Sequence, residues 1–185
     1  MRWVSLVLAL ACVPAFAQDS RYSNKLAPYV GTPVRVMDRM LDLANIKPGE
    51  TVYDLGCGDG RIVIAAAKNF GAHGVGIDID PLRIKEAREN AKKAGVEPLV
   101  RFEENDLFKA DIHEASVVTL FLLSSVNLKL RPKLLSDLKP GSRIVSNTFD
   151  MGDWKPDKEQ TLDDIGQLFF SRKLYLWTVP ARDGK

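Results

Sequence analysis

Five short β-rich runs begin near residues 51, 74, 100, 117 and 143, and most of the gaps between them show helical spacing. This alternation constrains the chain more than any other feature. Parallel strands need long crossovers, those crossovers are right-handed, and strand–helix repetition therefore implies a parallel sheet. A helix is expected after Thr32-Pro33, with Thr32 as cap and Pro33 at the first helical position. Residues 61–70 read as a second helix stopped by Gly71. Asp80-Pro81 caps a third, with Ile84, Ala87, Ala91 and Ala94 on one face and Gly95 at its end. Residues 127–138 are mostly helical, and Pro132 is expected to divide them, because proline removes a donor and crowds the preceding turn. After residue 148 the rhythm breaks. Residues 173–179 read as a strand with 158–162 as hairpin partner, so the expected sheet is mostly parallel, seven-stranded, and finished by an antiparallel hairpin.

The ends and the composition set outer bounds. Residues 1–17 open with Met1-Arg2, continue apolar from Trp3 to Val13 apart from Ser5, and close on Ala15-Phe16-Ala17, the pattern of a secretory signal peptide. An irregular segment, 18–31, would then lead into one domain, 32–185. Export to the periplasm or outside the cell is the expectation; the alternative is a membrane anchor through an uncleaved leader, and only then is membrane association expected. Cys12 lies in the leader and Cys57 stands alone after it, so an exported domain has no intramolecular disulfide. The net charge of +2, without a basic tail, gives no support for nucleic-acid binding. Two histidines and one remaining cysteine do not make a metal site.

The informative segment is Asp54-Leu55-Gly56-Cys57-Gly58-Asp59-Gly60-Arg61, where a strand hands over to a helix. Parallel sheets bind ligands at that edge. Glycines at 56, 58 and 60 allow a tight turn and a close approach to a ligand. The spacing is not the G-x-G-x-x-G of a dinucleotide site. An acid two residues ahead of the first glycine sits badly beside a pyrophosphate but suits a zwitterion carrying an ammonium group. Asp78 closes the second strand, where a carboxylate can accept both ribose hydroxyls. Asp106 follows the third strand and could accept from an adenine amine while the Leu107 amide donates to the ring. Cys57 reads as a small filler of a tight loop, and His73 and His113 as surface residues.

These motifs resemble those of class I methyltransferases that use S-adenosyl-L-methionine (SAM). Residues 54–61 are similar to their first motif, 76–80 to the ribose motif and 104–108 to the adenine motif. The resemblance implies an α/β Rossmann-like three-layer sandwich with SAM as cofactor. Asp54, Gly56, Gly58 and Gly60 would hold its methionine end, Asp78 the ribose, and Asp106 with Leu107 the adenine. A narrower resemblance joins Pro28-Tyr29-Val30-Gly31-Thr32-Pro33 and Phe121-Leu122-Leu123-Ser124 to small protein-lysine methyltransferases similar to those acting on the ATP synthase membrane ring. Gly31 and Ser124 replace prolines of that family, and Tyr29 would close over the cofactor. The implied reaction is methyl transfer to an amine, a protein lysine being one candidate. Small-molecule or lipid methylation and a non-catalytic SAM-binding module are the alternatives. Positions 121–124 lack the N-P-P-Y element of DNA and glutamine-amide methyltransferases. No dedicated base is evident, and Tyr29, Phe149 and Trp154 are candidates for an apolar acceptor channel.

Overall fold

The computed structural model describes residues 29–163 and 172–182. Residues 1–17, expected to be a leader, and the segment 18–28 lie outside the described residues. The strands are β1 (Thr51–Leu55), β2 (His73–Asp78), β3 (Val100–Glu104), β4 (Val117–Leu120), β5 (Arg143–Asn147), β6 (Lys158–Leu162) and β7 (Arg172–Thr178). The helices are α1 (Val34–Ala44), α2 (Arg61–Phe70), α3 (Pro81–Ala94) and α4 (Ser124–Asp137). The seven strands form one sheet in the order β3-β2-β1-β4-β5-β7-β6. The first five pair in parallel, while β7 runs antiparallel to both β5 and β6. The strand order reverses beside β1, so a crevice opens between the carboxyl ends of β1 and β4.

Helices α1, α2 and α3 cover one face of the sheet. Close approach is achieved with small residues on both sides. Helix α2 carries Ala65, Ala66 and Ala67, and β2 turns Gly74 and Gly76 toward that layer. A Cβ on Gly74 would lie 2.8 Å from the Cβ of Val63, and one on Gly76 would lie 2.6 Å from the Phe102 ring. The other face is covered by α4 and by the segment 105–116, with Ile112, Leu130, Leu134, Ile144 and Trp177 fully buried between them. That segment contains no helix. It connects the edge strand β3 to β4 and must cross beneath β2 and β1, so its twelve residues go into reach rather than helical turns.

Three local expectations are corrected. Helix α1 starts at Val34, and Pro33 stands at its cap position without a side-chain bond. Thr32 lies outside the helix, and its carbonyl accepts from Arg61 Nη1 at 2.9 Å, which ties the entering chain to the start of α2. Helix α4 continues through Pro132. The carbonyl that this proline leaves unpaired belongs to Leu128, which is 45% exposed and can be served by water. The opposite stripe of Val126, Asn127, Leu130 and Leu134 keeps the helix seated. From the sequence Leu128, Leu130, Leu134, Leu135 and Leu138 read most simply as core; Leu130, Leu134 and Leu138 are buried, whereas Leu135 is half-buried and Leu128 is exposed.

Candidate active site

A cavity of about 410 Å³ opens at the carboxyl edge of the sheet. Its walls are the loop after β1 (Gly56, Cys57, Asp59), the ends of β2 (Asp78, Ile79) and β3 (Asn105, Asp106, Leu107, Phe108), the end of β4 (Phe121, Leu122), and the strap Tyr29 to Thr32. Of the residues expected from sequence, Tyr29, Asp54, Gly56, Asp78, Asp106 and Leu107 line it. Gly58 and Gly60 stand just behind. Gly58 (φ 53°) carries the Tyr29 ring, which a Cβ would meet at 2.3 Å. Gly60 (φ 78°) caps α2 and faces Phe102 and Ala87, letting α2 and α3 close together.

The loop is fixed by its backbone. The amides of Gly56 and Cys57 both donate to the Ile77 carbonyl, at 2.8 and 2.9 Å. Asp78 then holds the loop from the side: Oδ2 accepts from the Gly58 amide and Oδ1 from the Asp80 amide, each at 2.9 Å. Asp106 Oδ1 accepts from the Phe108 amide at 3.0 Å, which rounds the turn after β3. Cys57 is buried against β2 near Gly76, and burial pushes its thiol far above the ordinary range, so it is a packing residue.

Asp54 is the electrostatic anomaly. It is 3% exposed, and Oδ1 accepts from the Thr119 hydroxyl at 2.8 Å. Burial raises its carboxyl to about 7; the Thr119 bond opposes this, while Asp78 and Asp59 add to it. A buried acid among other acids calls for a cation. The cavity otherwise presents the turn after β1, with Gly56 at its wall, and carboxylates at two further strand ends. These residues fit a zwitterionic nucleoside: an ammonium at Asp54, hydroxyls at Asp78, a base between Asp106 and the apolar Leu107, Phe108 and Ile79.

Several lining residues were not singled out from sequence. Asp59 and Arg61 form a two-pronged ion pair, with Arg61 Nη2 2.6 Å from Asp59 Oδ2 and Nε 2.9 Å from Oδ1. Burial pushes the Asp59 carboxyl up, but the Arg61 bonds and charge outweigh that and hold it below the ordinary value. Arg83 lies over the Tyr29 ring, 4.5 Å from its centre. The spacing of Asp59 and Arg61 gives a hint of their pairing; nothing local links Arg83 to a ring more than fifty residues earlier. At the β4 end the wall is apolar, with Phe121 stacked on Phe149 at 6.2 Å. Of the three residues expected to form the acceptor channel, Tyr29 lines the cavity and Phe149 backs its wall. Trp154 does neither: it packs on Trp177, whose indole N–H donates to its carbonyl at 2.8 Å.

Fold and site together define a SAM-dependent methyltransferase with the Rossmann-like, mostly parallel seven-stranded sheet. The family model described as the ANTKMT methyltransferase domain matches residues 54–158, more than half of the chain. The chain belongs to that family. It is 47% identical over 153 residues to a protein-lysine N-methyltransferase of Saccharolobus islandicus, covering 82% of this chain and 93% of that protein. It is 37% identical over 129 residues to the Mus musculus adenine nucleotide translocase lysine N-methyltransferase, covering 70% of this chain but only 56% of the mouse protein. A crystal structure of an RNA methyltransferase from Salinibacter ruber in complex with S-adenosyl-L-homocysteine superposes with a TM-score of 0.76. That match has 54% identity over 84% of this chain and 97% of that one. The resemblance to small protein-lysine methyltransferases read from the sequence therefore stands.

Proposed function

We propose that the enzyme transfers a methyl group from SAM to the uncharged nitrogen of a protein lysine. The observation that carries this reading is the polarity of the cavity. Carboxylates Asp54, Asp78 and Asp106 stand along β1 to β3, and the β4 end offers Phe121 and Leu122, with Phe149 behind. Asp54 would hold the ammonium, Asp78 the ribose hydroxyls and Asp106 with Leu107 the adenine, while Tyr29 lies across the opening. When bound, SAM supplies a methyl group on a sulfonium, already a good leaving group. The protein's own work is then alignment, which can account for about 7–11 kcal/mol of a barrier. An apolar wall favours the neutral amine over the ammonium, and so helps a lysine arrive with its lone pair free. Removing Tyr29 and Phe149 together should lower transfer without abolishing SAM binding.

The lysine assignment also draws on the relatives named for protein-lysine methylation. Labelled SAM supplied to the purified protein with cell extract tests it. Label in hydrolysates as methyllysine supports the reading; label confined to RNA, lipid or small molecules rejects it. The leader at 1–17 adds export to the proposal. Cell fractionation with N-terminal sequencing decides: a soluble exported chain starting at Gln18 supports export, whereas a chain starting at Met1 that sediments with membranes supports the uncleaved anchor.

A further inference from the structure

The glycine at position 31 departs from the proline of the small protein-lysine methyltransferases that the strap resembles, and the structure gives that departure a physical setting. A Cβ on Gly31 would lie 2.9 Å from both Nη1 and Nη2 of Arg61, and 3.0 Å from Cζ. The guanidinium occupies the space that a side chain there would need. It is held from two sides at once. Nε and Nη2 bond the Asp59 carboxylate, and Nη1 bonds the Thr32 carbonyl at 2.9 Å. Asp59 belongs to the loop after β1, whereas Thr32 belongs to the strap. One side chain thus joins the two walls of the cavity mouth. A second cation, Arg83, covers the Tyr29 ring, which in turn rests on Gly58. Arg83 is itself anchored to Glu86, at 2.5 Å.

We infer that Arg61 is a positioning residue that latches residues 29–32 over the cofactor and thereby sets how fast the cofactor is released. Its bonds to the strap and the loop are charge-assisted, and bonds of this type are about twice as strong as neutral ones. The latch is specific to a glycine at 31: any side chain pushes the guanidinium away from Thr32. Lysine cannot replace the arginine, since an ammonium lacks the planar fork that reaches Asp59 and Thr32 together. The inference rests on the cofactor occupying this cavity.

The test uses the full chain, S-adenosyl-L-homocysteine and SAM, and four variants: Arg61→Ala, Arg61→Lys, Gly31→Ala and the Arg61→Ala/Gly31→Ala pair. Loss of one hydrogen bond to a charged group predicts about a tenfold faster release of S-adenosyl-L-homocysteine for Arg61→Ala. The KM for SAM should rise by a similar factor, with kcat falling much less. Arg61→Lys should recover only part of the loss. Gly31→Ala should speed release in the same direction, because the far end of a flexible side chain can yield. In the Arg61→Ala background, Gly31→Ala should then add little, the mark of coupled sites. Release rates unchanged by Arg61→Ala, or a Gly31→Ala effect as large without Arg61 as with it, would overturn the latch. Failure of the unaltered protein to bind either compound overturns instead the cofactor assignment on which the latch rests.

Discussion

The two halves of the sheet solve different problems. At or just beyond the ends of β1 to β3 stand three acids that face the cavity, and each is held by a hydrogen bond: Asp54 by the Thr119 hydroxyl, Asp78 by the Gly58 and Asp80 amides, Asp106 by the Phe108 amide. From β4 to β7, the strand ends are largely apolar or buried. Phe121 stacks on Phe149, and Trp177 lies fully buried against Trp154 and Tyr175. The first half is a polar frame built from the turns at successive strand ends, bonded to one another across the sheet edge. The second is a hydrophobic wall assembled from residues far apart in sequence. Polar groups that must address defined atoms of a ligand need fixed donors and acceptors, whereas an apolar wall needs only shape and dryness.

The largest expected effect falls on the apolar half. Trp177→Ala should destabilise the fold by about 3–5 kcal/mol, the usual range for a buried aromatic truncated to alanine. Urea unfolding measures it, and a loss below about 1 kcal/mol would mean that this half is not the structural support described here. In the polar half, Asp78→Ala should weaken SAM binding by about a hundredfold, or about 2.7 kcal/mol, because it removes both a candidate ribose partner and the prop of the glycine loop. Calorimetry returning a near-normal Kd would break the assignment of Asp78.

A pH effect sharpens the same contrast. The Asp54 carboxyl sits near 7 in the folded protein and about 3.9 when unfolded. Between those values the folded chain keeps a proton that the unfolded chain has lost, so stability without ligand falls as pH rises through the window. A bound ammonium favours the ionised form. SAM binding should therefore release a proton below pH 7, and its affinity should weaken as pH falls, by at most about tenfold per unit. Calorimetry in buffers of different ionisation heat detects the proton, and Asp54→Asn should flatten the profile. The smallest effect is expected from Phe149→Ala. Losing its stack on Phe121 should raise the acceptor KM about fivefold, near 1 kcal/mol, with the Kd for SAM within about twofold. An unchanged acceptor KM would remove Phe149 from the acceptor wall.

How much could be read in advance differs between the halves for the same reason. Asp54, Gly56, Asp78 and Asp106 were legible because each stands at a fixed offset from a strand end, and strand ends of a parallel sheet converge on one edge. Gly58 and Gly60 were legible as turn residues, but their neighbours, Tyr29 for one and Phe102 with Ala87 for the other, were not. Trp154 was misplaced because an aromatic just past β5 is equally compatible with the cavity and the core; its pairing with Trp177 on β7 decides for the core. At Pro132 local sterics argue for a break, and only the packing of α4, which leaves Leu128 exposed and seats Val126, Leu130 and Leu134 in the core, shows that the helix continues.

Periodicity and glycine placement, both local, determined the parallel sheet, its antiparallel finish and the row of acids along one edge. Spacing along a chain controls such features directly, since a strand alternates every two residues and a turn closes within four. Tertiary structure alone decided which side chains meet across the site: Arg61 with the Thr32 carbonyl, Arg83 with the Tyr29 ring, and Phe121 with Phe149. Each of those contacts spans more than twenty residues of sequence, and it is fixed by how α1, α2, α3 and β5 pack rather than by anything the nearby chain encodes.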